Sequence, residues 1–573
     1  MNYLKRFFAV FVLSLLVIDG GFASDFPFST SIMGVDKIKP GQRGVAYTVV
    51  SGTSVVSFPV TVISVIPQDG DPDHLIAIKA EGPVIEKTGG IAAGMSGSPV
   101  YIDGRLIGAI GYGWNFSDHR LGLVTPIEDM AKVFSWTDKI PPFVKSVPID
   151  QLEEVSGDYD SRRVLSLSGV GPRAQERLSE ALGSQVMLSG GAGGGPVVET
   201  VAKLSPGDAI GVLLAWGDVT LGATGTLSAL STDGRFLAFA HPFIQKGSVA
   251  YPLTKAWIHH VVPSVESPFK IGSFGNVIGT VTQDRAQAIG GVLGAFPPSV
   301  DLAFRLYDRD EKKRSLKGFR VVSDPFLVSK IAPPVFLGLM DRTWGRKGAG
   351  TAKMTISFDG GGLYKGWSHT DFYFSPDDIS DRVAQAVSGL VSSVILNPYR
   401  ELLPLGVNFE VEVSSTPRIL YIDRISLDKE TYGPGDTVEV SVHMRPYRAR
   451  EQVRKFYLSI PEGVAGPCQV TVRGGGLGEP DGGQGEMDRS ISNLDDMLKE
   501  LSDREKANEV VIELSYQPTV SDDRQSGMLP PTGEYPGEVR RRKIKEGSMR
   551  VYRSDYYVEG ALDKSLVVLP GEF

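Results

Sequence analysis

A mainly β protein of several domains is what this sequence predicts, and three observations carry that reading. Glycine (67 residues) and proline (37) are abundant. Short apolar runs rich in β-branched residues recur between turn signals, the pattern of strands in barrels and sandwiches. At 573 residues the chain is too long for a single hydrophobic core. The composition is otherwise that of a globular protein, 42% hydrophobic and 22% charged. A net charge of -8 argues against a nucleic-acid partner, which selects a basic face. One cysteine, Cys468, precludes an intrachain disulfide and a thiolate metal cluster, and reads as a small buried hydrophobe. There is no His-Glu-x-x-His helix either, so no metal or other cofactor is expected.

The N-terminus carries a secretory signal. Lys5 and Arg6 precede an apolar run from Phe7 to Ile18, broken only by Ser14, and Gly21-Phe22-Ala23 offers small residues for cleavage after Ala23. The run is shorter than the ~20 residues of a membrane span. Residues 1–23 are therefore assigned to a signal peptide, and the mature chain to the periplasm or cell envelope, with no transmembrane segment.

Residues 24–140 form the first β unit. Strands are expected at Val45 to Val50, Ser54 to Val65 with an interruption at Pro59, and Leu75 to Ala80. Asp103-Gly104, between apolar runs, signals a tight hairpin. Thr125, Pro126 and Glu128 suggest a capped short helix, with Thr125 as the N-cap. Residues 141–300 hold a connector and a second β unit. Pro141 and Pro142 break structure, Pro172 to Leu182 has helical spacing, and Gly190 to Gly195 reads as a linker. Asp233-Gly234-Arg235-Phe236-Leu237 echoes Asp103-Gly104-Arg105-Leu106-Ile107, which suits two related barrels. Residues 301–404 read as mixed α/β, with a helix start at Ser375-Pro376-Asp377-Asp378 and helical spacing from Val383 to Leu396. Residues 405–475 read as an Ig-like β-sandwich, with strands at Asn408 to Val413, Ile419 to Ile425, Thr437 to Met444 and Lys455 to Ile460. Residues 476–573 comprise a linker, a helix over Leu494 to Leu501, a strand at Val510 to Leu514, and a basic run Arg540-Arg541-Arg542-Lys543 read as solvated surface.

The chemistry concentrates at Gly94-Met95-Ser96-Gly97-Ser98-Pro99. Acyl transfer by serine needs a hydroxyl on a tight turn, a base to take its proton, and backbone N–H groups aimed at the developing oxyanion. The glycines permit such a turn, and the amides of Gly94 and Ser96 are the candidate oxyanion hole. The motif is not the hydrolase elbow, which has Gly where Ser98 stands. Of seven histidines, His241 is the candidate base: it closes the strand Phe236 to Ala240 and precedes Pro242. His259 and His260, adjacent on a strand, point to opposite faces.

These residues carry a family resemblance. Thr88-Gly89-Gly90-Ile91-Ala92-Ala93-Gly94-Met95-Ser96-Gly97-Ser98-Pro99, followed by Gly104-Arg105-Leu106-Ile107-Gly108-Ala109, closely resembles the serine region of the SpoIVB-type serine peptidases. Thr224-Gly225-Thr226-Leu227 and Phe239-Ala240-His241-Pro242 resemble the family's histidine region, and Ile278 to Val281 and Gly290 to Gly294 its continuation. The resemblance implies a chymotrypsin-like double β-barrel with the two barrels exchanged in chain order. It implies Ser96 as nucleophile and His241 as general base, and a protein or peptide as substrate. The family's aspartate position falls on Glu81, and Asp284 is the alternative third member. The expected activity is that of a secreted serine endopeptidase of the bacterial envelope, regulatory in role. The competing expectation is a catalytically inactive scaffold or peptide-binding protein, motivated by the reversed order and the long C-terminal extension.

Overall fold

A computed structural model describes residues 26–140, 164–188, 204–477, 491–516 and 536–570. The signal peptide, Pro141 and Pro142, the Gly190 to Gly195 stretch and most of the linker expected at 474–489 lie outside the described residues.

The first unit is a closed six-stranded barrel. Its strands are β1 (Arg43–Val49), β2 (Val55–Pro67), β3 (His74–Ala80), β4 (Pro99–Ile102), β5 (Arg105–Tyr112) and β6 (Leu121–Pro126), paired in the order β1-β2-β3-β6-β5-β4. A helix, α1 (Pro83–Thr88), and the serine loop join β3 to β4. Alternation along each strand turns Phe58, Ile76, Ile78 and Ile102 inward, where they form one core with Met95 of the serine loop. Asp103 (φ 49°) and Gly104 (φ 73°) make the expected β4–β5 turn with both residues left-handed. β2 runs through Pro59, which sits opposite Val45.

After β6 comes α2 (Ile127–Ala131), and here the capping expectation fails. Pro126 is the N-cap and no side chain caps the helix. Glu128 instead accepts from the Val35 amide at 3.2 Å, and the Thr125 hydroxyl is used elsewhere. β7 (Val164–Ser168), α3 (Pro172–Leu182) and β8 (Gln185–Leu188) follow, with β7 and β8 parallel.

The second barrel is built from β9 (Ala209–Gly217), β10 (Thr220–Leu230), β11 (Arg235–Ala238), β12 (Gly247–Val262), β13 (Phe269–Arg285) and β14 (Ala288–Leu293). Their antiparallel pairings run in a ring, β9-β12-β13-β14-β11-β10, and β10 returns to β9. The fold is thus mainly β with a chymotrypsin-like pair of barrels. β7 and β8 extend one side of the second barrel through β10.

On its other side β9 pairs with a further sheet: β15 (Ser299–Asp308), β16 (Lys313–Val322), β17 (Gly350–Gly360), β18 (Leu363–Ser375) and β19 (Gly406–Ser414). Two helices accompany it, α4 (Pro325–Trp344) and α5 (Ile379–Ile395). Phe336 of α4 lies between Phe304 and Phe409, with ring centroids 5.5 and 5.3 Å away. The strand expected at Asn408 to Val413 is β19 and belongs here, parallel to β15, because its Val407, Phe409 and Val411 complete this core and not the next.

A β-sandwich closes the described chain. One sheet pairs Gln452–Ser459, Thr437–Pro446, Ile419–Leu427 and Tyr557–Glu559; the other pairs Thr431–Tyr432, Ala561–Val568, Gly466–Gly474, Glu509–Tyr516 and Met549–Arg553. The sandwich therefore spans 419 to 568 rather than 405 to 475, and two of its pairings are parallel. Cys468 is buried in its core. The basic run lies on the helix Pro536–Glu546, where Arg540 and Lys543 pair with Glu509 and Glu513; these carboxylates are nearly buried, so the run is not merely solvated.

Phe336→Ala removes the ring that joins α4 to two strands. We expect it to lower stability by about 3–5 kcal/mol, read by denaturant unfolding of the full chain.

Candidate active site between the two barrels

Ser96 is half-buried in the loop between α1 and β4. Gly94 and Gly97 take φ of 93° and 92°, a region closed to most side chains. A Cβ at Gly97 would stand 2.0 Å from the Thr226 carbonyl oxygen, so the loop and β10 are in contact only because this residue is glycine.

The second barrel holds the loop by its carbonyls. Ala93 O accepts from the Lys270 N–H (2.9 Å) and Gly94 O from the Thr226 hydroxyl (3.1 Å). Ser96 O accepts from the Thr226 N–H (2.8 Å) and Gly97 O from the Ser228 hydroxyl (2.9 Å). The loop's own amides are mostly used: Met95 N–H donates to Ala92 O, Gly97 N–H to Ile110 O and Ser98 N–H to Met95 O, at 2.7–2.9 Å. The exceptions are Gly94 and Ser96, whose amides have no hydrogen-bond partner among the described residues. Each belongs to a peptide whose carbonyl (Ala93 O, Met95 O) is already anchored, which fixes the direction of the N–H. An amide left without a protein partner is rare and marks a position for an acceptor from outside.

His241 follows β11 through a strained turn. Phe239 (φ 67°) and Ala240 (φ 60°) are both left-handed, uncommon for residues with a Cβ. The turn is braced from the first barrel: the Thr125 hydroxyl donates to Ala240 O at 2.6 Å. The buried imidazole lies 5.9 Å from the Tyr112 ring and 5.8 Å from the Phe239 ring. Its Nδ1 is 2.7 Å from the Pro242 carbonyl oxygen. A carbonyl only accepts, so Nδ1 carries the proton, and Nε2 is the acceptor nitrogen of the neutral ring.

Ser96 and His241 line one pocket, with Gly94, Phe239, Phe243, Phe269 and Lys270, and with Val164 to Ser166 of β7 on one wall. No hydrogen bond joins the Ser96 hydroxyl to the imidazole, a contact often long in ligand-free sites. Neither of the residues expected as third member lines this pocket. Glu81 follows β3 on the surface, half exposed and 3.2 Å from Lys79, a solvated ion pair outside the pocket lining. Asp284 is fully buried, but its carboxylate accepts from the main-chain N–H groups of Phe243 (2.7 Å), Ile244 (2.9 Å) and Lys246 (3.4 Å). It holds the loop that follows His241 and does not line the pocket. A backbone carbonyl, Pro242 O, lies at Nδ1, a contact that sequence reasoning has no means to single out.

Sequence reasoning also missed Lys270. It is 5% exposed, its Nζ donates to the Thr48 hydroxyl at 2.9 Å, and it pairs with no carboxylate among the described residues. Burial pushes its pKa down from 10.5 to about 7. A lysine between Phe269 and Ile271 looks like any polar residue on an alternating strand; only the barrel contact buries it.

A serine on a glycine turn, two amides without a partner among the described residues and a histidine in the same pocket, set between two β-barrels, are the components that acyl transfer by serine requires. Residues 24–131 match the family model described as SpoIVB peptidase S55, so the first barrel and its Ser96 loop are similar to the SpoIVB-type serine peptidases, which supports a serine-type peptidase. The match ends before the second barrel. No curated protein and no solved structure matches the chain.

Two substitutions separate the roles of the acidic residues. Glu81→Gln should leave stability and Ser96 reactivity within about two-fold of wild type, since exposed ion pairs contribute little. Asp284→Ala orphans two short buried N–H bonds and should cost about 2–6 kcal/mol, read by chemical denaturation.

Proposed function

We propose that this chain is a secreted serine endopeptidase of the bacterial cell envelope, hydrolysing a protein substrate through an acyl-enzyme. The observation that carries the reading is the single pocket shared by Ser96 and His241, beside the unpartnered amides of Gly94 and Ser96.

In this mechanism the Ser96 hydroxyl attacks the scissile carbonyl carbon and its proton passes to His241 Nε2. The carbonyl oxygen becomes an oxyanion that accepts from the Gly94 and Ser96 N–H groups, which are oriented before substrate arrives. The imidazolium keeps its Nδ1 proton on Pro242 O and delivers the Nε2 proton to the leaving amine, and water then repeats the sequence on the ester. Pro242 O thus helps to orient the imidazole.

The basic and apolar N-terminus supports export, with cleavage after Ala23. No helix among the described residues is long and apolar enough to cross a membrane. The likeness of residues 24–131 to the SpoIVB peptidases supports a protein substrate, and a regulatory one is part of the same reading.

Covalent labelling of the mature protein by a fluorophosphonate tests the reading. Wild type should label at Ser96, Ser96→Ala should take none, and His241→Ala should label about 10²–10⁴-fold more slowly. A folded wild type that takes no label would remove the peptidase reading in favour of a scaffold.

A further inference from the structure

The mechanism above leaves Lys270 unused, although three separate contacts tie it to the oxyanion loop. Its main-chain N–H donates to Ala93 O, the carbonyl of the peptide whose N–H is that of Gly94. Its side-chain stem packs on Gly94: a Cβ there would stand 3.0–3.2 Å from the lysine's Cβ, Cγ and Cδ. Its Nζ donates to Thr48, whose hydroxyl lies 3.5 Å from that of Thr226, and Thr226 donates to Gly94 O.

Packing alone does not explain a lysine here. A methionine would fill the same volume, and a buried ammonium without a carboxylate is costly. Lys270 lines the pocket with its stem against Gly94, and a charge there has an electrostatic use: negative charge develops on the substrate oxygen only in the transition state.

We propose that Lys270 is a positioning residue of the oxyanion hole, orienting the Gly94 amide and, in its ammonium form, stabilising the charge that forms on the substrate oxygen. This rests on the serine-peptidase reading of the same site. The amine meets Thr48 from β1, and Thr226 from β10 links Thr48 to the Gly94 carbonyl; the titratable neighbour in the shared pocket is His241. Because burial lowers the Lys270 pKa to about 7, the ammonium form prevails below neutral pH and fades above it. The folded state then binds fewer protons than the unfolded chain between about 7 and 10.5, so wild-type stability rises with pH across that window.

The test compares wild type, Lys270→Met and Ser96→Ala, as full mature chains, for fluorophosphonate labelling and unfolding between pH 6 and 10. Lys270→Met should fold at least as stably as wild type at pH 7 and lose the rise in stability above it. Its maximal labelling rate should fall about ten- to a hundred-fold at pH 6, with the half-saturating probe concentration unchanged, and the deficit should shrink toward pH 9. Thr48→Val, which leaves Lys270 in place but removes its acceptor, should move the pH 6 rate in the same direction and serves if Lys270→Met fails to fold. A deficit equal at every pH, or no deficit, overturns the proposal while Ser96-dependent labelling leaves the peptidase reading intact. Absence of Ser96-dependent labelling in wild type overturns both.

Discussion

The serine loop of the first barrel is held by the second. Four carbonyls between Ala93 and Gly97 accept hydrogen bonds from Lys270, Thr226 and Ser228, and the Ala93 amide donates to Pro268 O just before β13, while the amides of Met95, Gly97 and Ser98 bond within the first barrel. This division leaves the Gly94 and Ser96 N–H groups without a partner among the described residues. It also couples the two barrels: the nucleophile's geometry exists only where β10 and β13 lie against the loop, and Gly97 is the residue that lets β10 approach.

The coupling runs in both directions. The base stands at the end of two left-handed residues, and the hydroxyl that braces them, Thr125, comes from the first barrel. Backbone strain of this kind persists only where surrounding contacts over-determine it. Asp284 adds a second constraint from behind, collecting three main-chain N–H groups of the loop after His241. A buried carboxylate thus shapes the backbone after His241, and a backbone carbonyl lies within hydrogen-bond reach of the imidazole.

How much of this was legible in the sequence follows from the range of each interaction. Local signals were readable: the Asp103-Gly104 turn, the helix Pro172–Leu182, the helix at Leu494 and the glycine turn around Ser96 all depend on neighbours a few residues away. Signals that need a distant partner were not. Thr125 has the position of a helix cap, yet bonds Ala240, 115 residues on. The strand at 407–413 alternates like a sandwich strand, but its register with β15 assigns it to another sheet. Helix α4 holds Pro333 and Pro334 inside it, which hides a buried helix from any propensity reading. The family resemblance puts the aspartate position on Glu81, whereas solvent exposure and Lys79 make it a surface ion pair.

The most direct test of a site assembled across two barrels is a crystal structure of the Ser96 adduct with a fluorophosphonate. The account predicts phosphorus bonded to Ser96 Oγ, with the phosphoryl oxygen about 2.7–3.1 Å from both the Gly94 and Ser96 nitrogens and the His241 ring facing the leaving-group side. A phosphoryl oxygen turned away from those amides, or a His241 ring out of reach of the adduct, would contradict it.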